Sequence, residues 1–314
     1  MKRSHFFRTP RRAALALTAL ALALPSALPA VTGSMGLVSP AAAQETQKAD
    51  TARIVVIGGA LTEIVYALGE ERRLIARDST STYPEAAMSL PDVGYMRALS
   101  PEGVLGVDPS AILAIEGSGP PDALAVLKNA GVPFTTVPEG YDRAAILNKI
   151  AVVGDFLGVP DKAKALADTV GADLDKAVAD AARRPEGERK RVLFILSFQD
   201  GKIMAAGAHT AADGILKLAG AVNATDAAFP GYKAMSDEAI VEAKPDAIMV
   251  MARGGHDDSD EQLLAHPAIA LTPAAATKTV IRMNGLQLLG FGPRTASAIR
   301  DLNDRLYGKA NVSQ

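Results

Sequence analysis

Residues 160–184 read PDKAKALADTVGADLDKAVADAARR. Apolar side chains recur at helical spacing among Ala, Asp and Lys, with Pro160 placed to start a helix and Pro185 to stop one. A helix over this stretch spans roughly 37 Å, the length of a strut and not of a loose linker. On either side the texture changes. Upstream, RIVVIGG (53–59) reads as a buried strand ending in a glycine turn, with the helix LTEIVYALG (61–69) after it and Thr62 as its expected cap. LIARD, a helix over 101–107, SAILAIE, a helix over 122–130 and PFTTVP continue the alternation, which predicts an α/β lobe with a mainly parallel sheet. A second series starts at RVLFILSF and runs through KIMAAG, the helix TAADGILKLAG, DAIMVMAR and TVIRMN. Two such lobes on a stiff connector make a cleft, the favoured place for a small ligand. The expected organisation is a leader over 1–43, an N-terminal lobe over 44–158, a connecting helix over 159–186 and a C-terminal lobe over 187–314.

The lobes carry an internal repeat. ALSPEGVLGVDPSAILAI (98–115) aligns without a gap to AMSDEAIVEAKPDAIMVM (234–251), with 6 of 18 positions identical. Each unit reads as a Ser N-cap, an acid in the first turn, a short helix, a Pro in the turn and a buried strand. Ser100 pairs with Ser236, Glu102 with Glu238 and Pro109 with Pro245. Capped αβ units resemble one another for general reasons, but the residues upstream also match. Gly94-Tyr95-Met96-Arg97 precedes the first unit and Gly231-Tyr232-Lys233 the second, so each lobe carries a Gly-Tyr-cation turn before a helix.

The first residues combine Lys2, Arg3, Arg8, Arg11 and Arg12 with an apolar run over 13–25 and small residues, with cleavage expected after Ala30 or Ala43. This is the pattern of a secretory signal, and the apolar run is short for a membrane span. Removing those five basic residues takes Lys+Arg from 33 to 28 against 35 Asp+Glu, a net charge of −7. That balance argues against nucleic acid and anionic membrane surfaces as partners. Cys is absent, which excludes disulfides, thiolate metal sites, a cysteine nucleophile and lipidation at the cleavage site.

Enzyme signatures are scarce, with no phosphate-binding G-x-x-x-x-G-K-[ST], no H-E-x-x-H and no G-x-S-x-G. Beyond the leader the His residues are His209, His256 and His266, none spaced for a local metal site. His266 before Pro267 reads as structural and His256 as part of a solvated acidic stretch. His209, between a strand and a helix capped by Thr210, holds a cleft-edge position. Tyr95 with Arg97 is the sharper pair. A phenolate is a hard oxygen donor that suits ferric iron and serves as an axial haem ligand, and a nearby arginine can hydrogen-bond that oxygen. The plainer reading is a Tyr packed at a lobe surface beside a solvated Arg.

GYMRALSPEGVL (94–105), VVIGGALTEIVYALG, AAGAHTAADGILKLAGAVNA and MNGLQLLGFGPRT together resemble the periplasmic haem-binding proteins of bacterial ABC importers, over about 50–308 of the chain. The resemblance implies an α/β fold of two Rossmann-like lobes joined by a long rigid helix. It implies haem in the cleft, Tyr95 as the axial ligand and Arg97 hydrogen-bonded to it. Tyr232, Lys233, Arg253 and His209 are the second-lobe candidates for the opposite face or the propionates. Glu102 and Glu238 match the acids through which related cobalamin and siderophore binders dock on their permease. The expectation is a monomeric, soluble periplasmic protein without catalysis, which delivers haem to an inner-membrane importer downstream of an outer-membrane haem receptor. The alternatives are the same scaffold carrying a ferric siderophore or a corrinoid, and, from another class, a secreted α/β enzyme.

Overall fold

The computed structural model describes residues 50–252 and 259–308, all within one compact unit. The leader expected over 1–43, Arg253 and His256 lie outside the described residues. The run Ile54–Ile57 forms strand β1 with all four side chains buried. It is flanked by β2 (Leu74–Arg77) and β3 (Ala111–Ile115), and β4 (Phe134–Val137) completes a four-stranded sheet ordered β2-β1-β3-β4. Every pairing in it is parallel, as the helical crossovers require. Those crossovers supply α1 (Gly59–Ala67), α2 (Pro101–Leu105) and α3 (Pro121–Asn129), and α4 (Arg143–Leu157) follows the last strand.

Gly158 caps α4 in the left-handed conformation (φ 71°), and Pro160 then opens α5 (Pro160–Ala182). A Cβ on Gly154 would run into Ala163, so this glycine allows α4 and α5 to cross closely. The 23 residues of α5 extend about 34 Å. Ala163, Val170, Leu174, Ala177 and Ala181 on α5 belong to one apolar core that runs from Ile54 to Leu306. Exposed ion pairs fasten its other face, Arg143–Asp175 toward α4 and Arg300–Asp173 toward the last helix.

The C-terminal lobe contains β5 (Arg191–Gln199), β6 (Lys202–Ala206), α6 (Ala211–Leu218), β7 (Val222–Asn223), β8 (Tyr232–Ala234), α7 (Asp237–Ala243) and β9 (Ala247–Ala252). Helices α8 (Asp260–Leu264) and α9 (Pro273–Ala276) precede β10 (Val280–Asn284), α10 (Gly285–Leu289) and α11 (Thr295–Tyr307). Its sheet is ordered β10-β9-β5-β6-β8, with β7 also on β5. This sheet is mixed: β9-β10, β5-β9 and β5-β7 are parallel, whereas β5-β6 and β6-β8 are antiparallel. The cause is local. Asp200 (φ 51°) and Gly201 (φ 72°) form a two-residue turn with both residues left-handed, which folds β6 back as a hairpin.

The repeat reappears as structure. Ser100 caps α2 and Ser236 caps α7, each accepting from a backbone N–H, at 3.4 and 3.3 Å. The helices lead into β3 and β9, which occupy corresponding places beside β1 and β5. Thr62 is not the cap of α1. Gly58 (φ 118°) occupies the cap position, and Thr62 is buried inside the helix with its hydroxyl 2.8 Å from that of Ser81. His266 is structural as expected: it is buried, and its Nε2 lies 3.1 Å from the Gly201 carbonyl, bracing the hairpin turn.

Lys149 on α4 is fully buried, pairs with Glu139 and donates to the Gly290 carbonyl at 3.5 Å. Lys149→Ala leaves a void in the core and takes its ion-pair partner from Glu139, itself 27% exposed at the cavity, so it is expected to destabilise the fold by about 3 kcal/mol. A thermal melt should show Tm falling by roughly 9 °C. Lys164→Ala, in an exposed pair with Asp168, should leave Tm unchanged.

Candidate functional site

The carboxyl ends of the parallel strands in both sheets face a common cavity of about 850 Å³, lined equally by the two lobes. This is where open α/β sheets bind ligands, since the strand order leaves a crevice there. From the N-terminal lobe come Gly58–Ala60 after β1, Thr80 and Thr82 after β2, Ile115 at the end of β3, and Glu139 and Tyr141 after β4. From the C-terminal lobe come Leu196 and Ser197 of β5, Met251 and Ala252 of β9, and Asn284 with Leu286 and Leu289 at and after β10. Ile115, Leu196, Leu286, Leu289, Met96 and Met251 give the cavity apolar walls between polar groups that include three tyrosines and Arg97, a mixture suited to a flat apolar ligand with polar edges. The lobes meet at its floor. A Cβ on Gly59 would stand 2.5 Å from Leu286 Cδ1 and 2.7 Å from the Thr80 carbonyl, so only glycine permits this approach.

Tyr95, Met96 and Arg97 line the cavity from a turn whose shape is built by its neighbours. The Asp92 carboxylate accepts from Gly94 N–H at 2.8 Å and pairs with buried Arg77 at 2.9 Å. Gly94 takes φ 101°, a conformation that costs glycine nothing. Backbone bonds from Ser79 N–H to the Gly94 carbonyl and from Gly119 N–H to the Met96 carbonyl, both 2.9 Å, pin the turn to the strand ends. The turn form lets three successive residues, Tyr95, Met96 and Arg97, line one cavity, where a strand would turn Met96 to the opposite face. Tyr95 remains 46% exposed, so its phenol is open to a ligand.

On the opposite lobe, Tyr232 begins β8 and lines the cavity, whereas the adjacent Lys233 does not. Successive strand residues point to opposite faces, and the Lys233 ammonium lies 5.7 Å above the Phe229 ring instead. The two Gly-Tyr-cation segments thus differ in form, one a turn and the other opening a strand. His209 is exposed at φ 60°, with its N–H donating to Asp213 at 3.2 Å, and is not part of the cavity wall. Its helix reaches the cavity through Ala211.

Tyr141 is a cavity residue that the sequence pattern did not single out. Its ring packs 5.3 Å from that of Phe291, and its backbone lies so close to α6 that a Cβ on Gly214 would meet its carbonyl at 2.8 Å. Burial, then the Glu139 charge, pushes the Tyr141 phenol above the ordinary tyrosine range, with Arg97 opposing. Burial also raises Tyr232, with Tyr141 adding to it, against hydrogen bonds from Thr210 and Ala212 and the charge of Arg97. Both therefore remain neutral phenols, able to donate, and the Arg97 charge reaches both. A signal was present: Gly140-Tyr141 is a third Gly-Tyr pair, and all three such tyrosines of the chain's 6 line this cavity.

Glu102 and Glu238 are exposed, each the second residue of its helix. Its own N–H and the Ser236 hydroxyl hold the Glu238 carboxyl below the usual carboxylate range, so it carries full charge at neutral pH.

Comparison with known proteins follows the same outline. The sequence profile described as "Periplasmic binding protein" matches residues 54–285. Among solved structures, the periplasmic heme-binding protein BhuT in complex with two hemes is 40% identical with a TM-score of 0.75, covering 81% of this chain and 97% of that one. The periplasmic heme-binding protein RhuT from Roseiflexus sp. RS-1, in apo form, is 36% identical with a TM-score of 0.76, covering 82% and 98%. An uncharacterized ABC transporter substrate-binding lipoprotein, YvrC of Bacillus subtilis, is 31% identical over 65% of this chain, a match that spans 65% of the relative's own length.

Proposed function

The chain belongs to the periplasmic binding protein family, and from that premise we propose that it binds haem between its lobes and hands it to an inner-membrane ABC importer without catalysis of its own. The observation that carries this reading is the open Tyr95 phenol beside Arg97 on one wall of an apolar cavity of about 850 Å³. That volume falls in the range of small-molecule sites. The donor set fits the cargo: one accessible phenol as an iron ligand, a guanidinium to stabilise its anion, and Met251, Leu286, Leu289 and Ile115 against the macrocycle. Tyr141 and Tyr232, held as neutral phenols, supply donors to the ligand's polar groups. Similarity to two periplasmic heme-binding proteins at 36–40% identity supports haem over other ligands of this scaffold. We assign residues 1–43 to an export signal, place the protein in the periplasm, and assign Glu102 and Glu238 to the permease-docking surface.

Hemin added to the purified protein should give the absorption spectrum of a ferric tyrosinate complex at saturable stoichiometry. Cobalamin and a ferric siderophore, titrated in parallel, should bind at least about a hundredfold more weakly, a gap of ~2.7 kcal/mol. Tight binding of either without a hemin spectrum would overturn the assignment of the ligand.

A further inference from the structure

The segment 290–294, Gly-Phe-Gly-Pro-Arg, belongs to the C-terminal lobe but is planted in the N-terminal one. The Gly290 carbonyl receives Lys149, Phe291 is buried against Tyr141, and a Cβ on Gly292 would lie 3.5 Å from Ala60. Arg294 goes deepest. Its backbone N–H and its Nε each donate to Glu63 at 3.0 Å, and Nη2 lies 3.0 Å from the same carboxylate. The Glu63 side chain is 6% exposed. The Arg294 guanidinium also lies flat over the Tyr83 ring, 3.5 Å from its centroid.

Glu63 and Tyr83 sit on the two N-lobe elements that shape one wall of the cavity. Glu63 belongs to α1, whose first residues Gly59 and Ala60 line it, and Tyr83 follows Thr80 and Thr82, which also do. These elements are already joined within their own lobe. Asp78 accepts from Gly58 N–H at 2.9 Å and from the Thr80 and Ser81 hydroxyls at 2.6 and 2.7 Å. Arg294 grips this assembly from the other lobe, while α10, just before it, brings Leu286 and Leu289 to the facing wall. Opening the cleft requires breaking a largely buried ion pair, in which the Arg294 backbone N–H and Nε each hold one Glu63 oxygen, together with its aromatic stack.

We propose that Arg294 is a positioning residue for the ligand: by bridging Glu63 and Tyr83 it locks one cavity wall to the C-terminal lobe and sets the width of the cleft. The ion pair and the aromatic stack thereby fix the separation of the two walls in the free protein. Only the identity of the ligand in the test rests on the haem reading.

The absence of Cys makes the test clean. Asp122→Cys and Glu242→Cys, exposed on α3 and α7, give one unique spin-label pair across the lobes. In the mature protein, pulsed electron paramagnetic resonance should return one narrow distance distribution, unchanged by hemin. Arg294→Ala should broaden it toward longer distances, with hemin narrowing it again. Hemin transfer to apomyoglobin should be about tenfold faster in that variant. The bound spectrum should stay that of the parent, since Tyr95 and Arg97 are untouched. Tyr83→Leu, which spares the ion pair, should show the same changes at smaller size and carries the test if Arg294→Ala fails to fold by circular dichroism. An unchanged distribution and release rate in a folded variant would overturn the proposal, as would a broad distribution in the parent. Failure of the parent to bind hemin would instead count against the haem reading, and the distance arm would still decide the role of Arg294.

Discussion

In a Tyr95→Ala protein, the ferric tyrosinate spectrum is expected to disappear and hemin affinity to fall by about a hundredfold or more, at least ~2.7 kcal/mol. The loss should be large but incomplete, because the aliphatic walls still bury the macrocycle. Tyr95→Phe separates the two contributions. It keeps the ring and loses the oxygen, so its spectrum should match that of Tyr95→Ala. On the proposed assignment Arg97→Ala removes a hydrogen-bond donor to the ligating oxygen and not the ligand itself, so a loss of only about tenfold is expected. Absorption titration of the three variants checks the ordering. A Tyr95→Ala protein with the parent's spectrum and affinity would remove Tyr95 from the iron site.

The second large effect concerns delivery. Replacing Glu102 and Glu238 together with Arg should leave hemin binding within about twofold, because both are surface residues outside the cavity wall. Transport through the cognate importer should fall by at least about a hundredfold, since like charges brought face to face at a docking surface cost several kcal/mol. Single reversals should be intermediate. Fold stability should drop only modestly, because the acids contribute about 0.3–1 kcal/mol each at their helix N-termini. Reconstituted vesicles containing the permease, with hemin-loaded protein outside, provide the measurement. Undiminished uptake with the double variant would move the docking surface elsewhere.

Much of the architecture follows from signals a few residues long. Gly158 and Pro160 mark the junction of α4 and α5, and Ser100 and Ser236 cap the paired helices. Asp200-Gly201 encodes the hairpin that makes the second sheet mixed, a two-residue turn signal legible in the sequence between RVLFILSF and KIMAAG. Thr62 shows the opposite case. Its type and position suit an N-cap, but the backbone turned at Gly58 and left Thr62 one turn inside, where Ser81 satisfies its hydroxyl.

Which side chains face the ligand is a different matter. Tyr95 and Tyr232 follow glycine in the same way, yet Arg97 lines the cavity and Lys233 does not, because Lys233 is the next residue along a strand and so faces away from Tyr232, while Arg97 lies two residues beyond Tyr95 in a turn. Tyr141 follows the carboxyl end of β4 and is held at the cavity by its packing on Phe291 and Gly214 of the other lobe. Lys149 looks like any amphipathic-helix lysine until Glu139 and Gly290 close around it. The chain by itself determined most of its elements, the caps at Ser100 and Ser236, the strut and the pairing of the lobes, since each depends on φ preferences and apolar spacing over a few residues. Only the tertiary structure decided the cavity wall and the bonds between lobes. Those contacts join residues as far apart as Glu63 and Arg294, 231 positions along the chain, and no local preference specifies such a meeting.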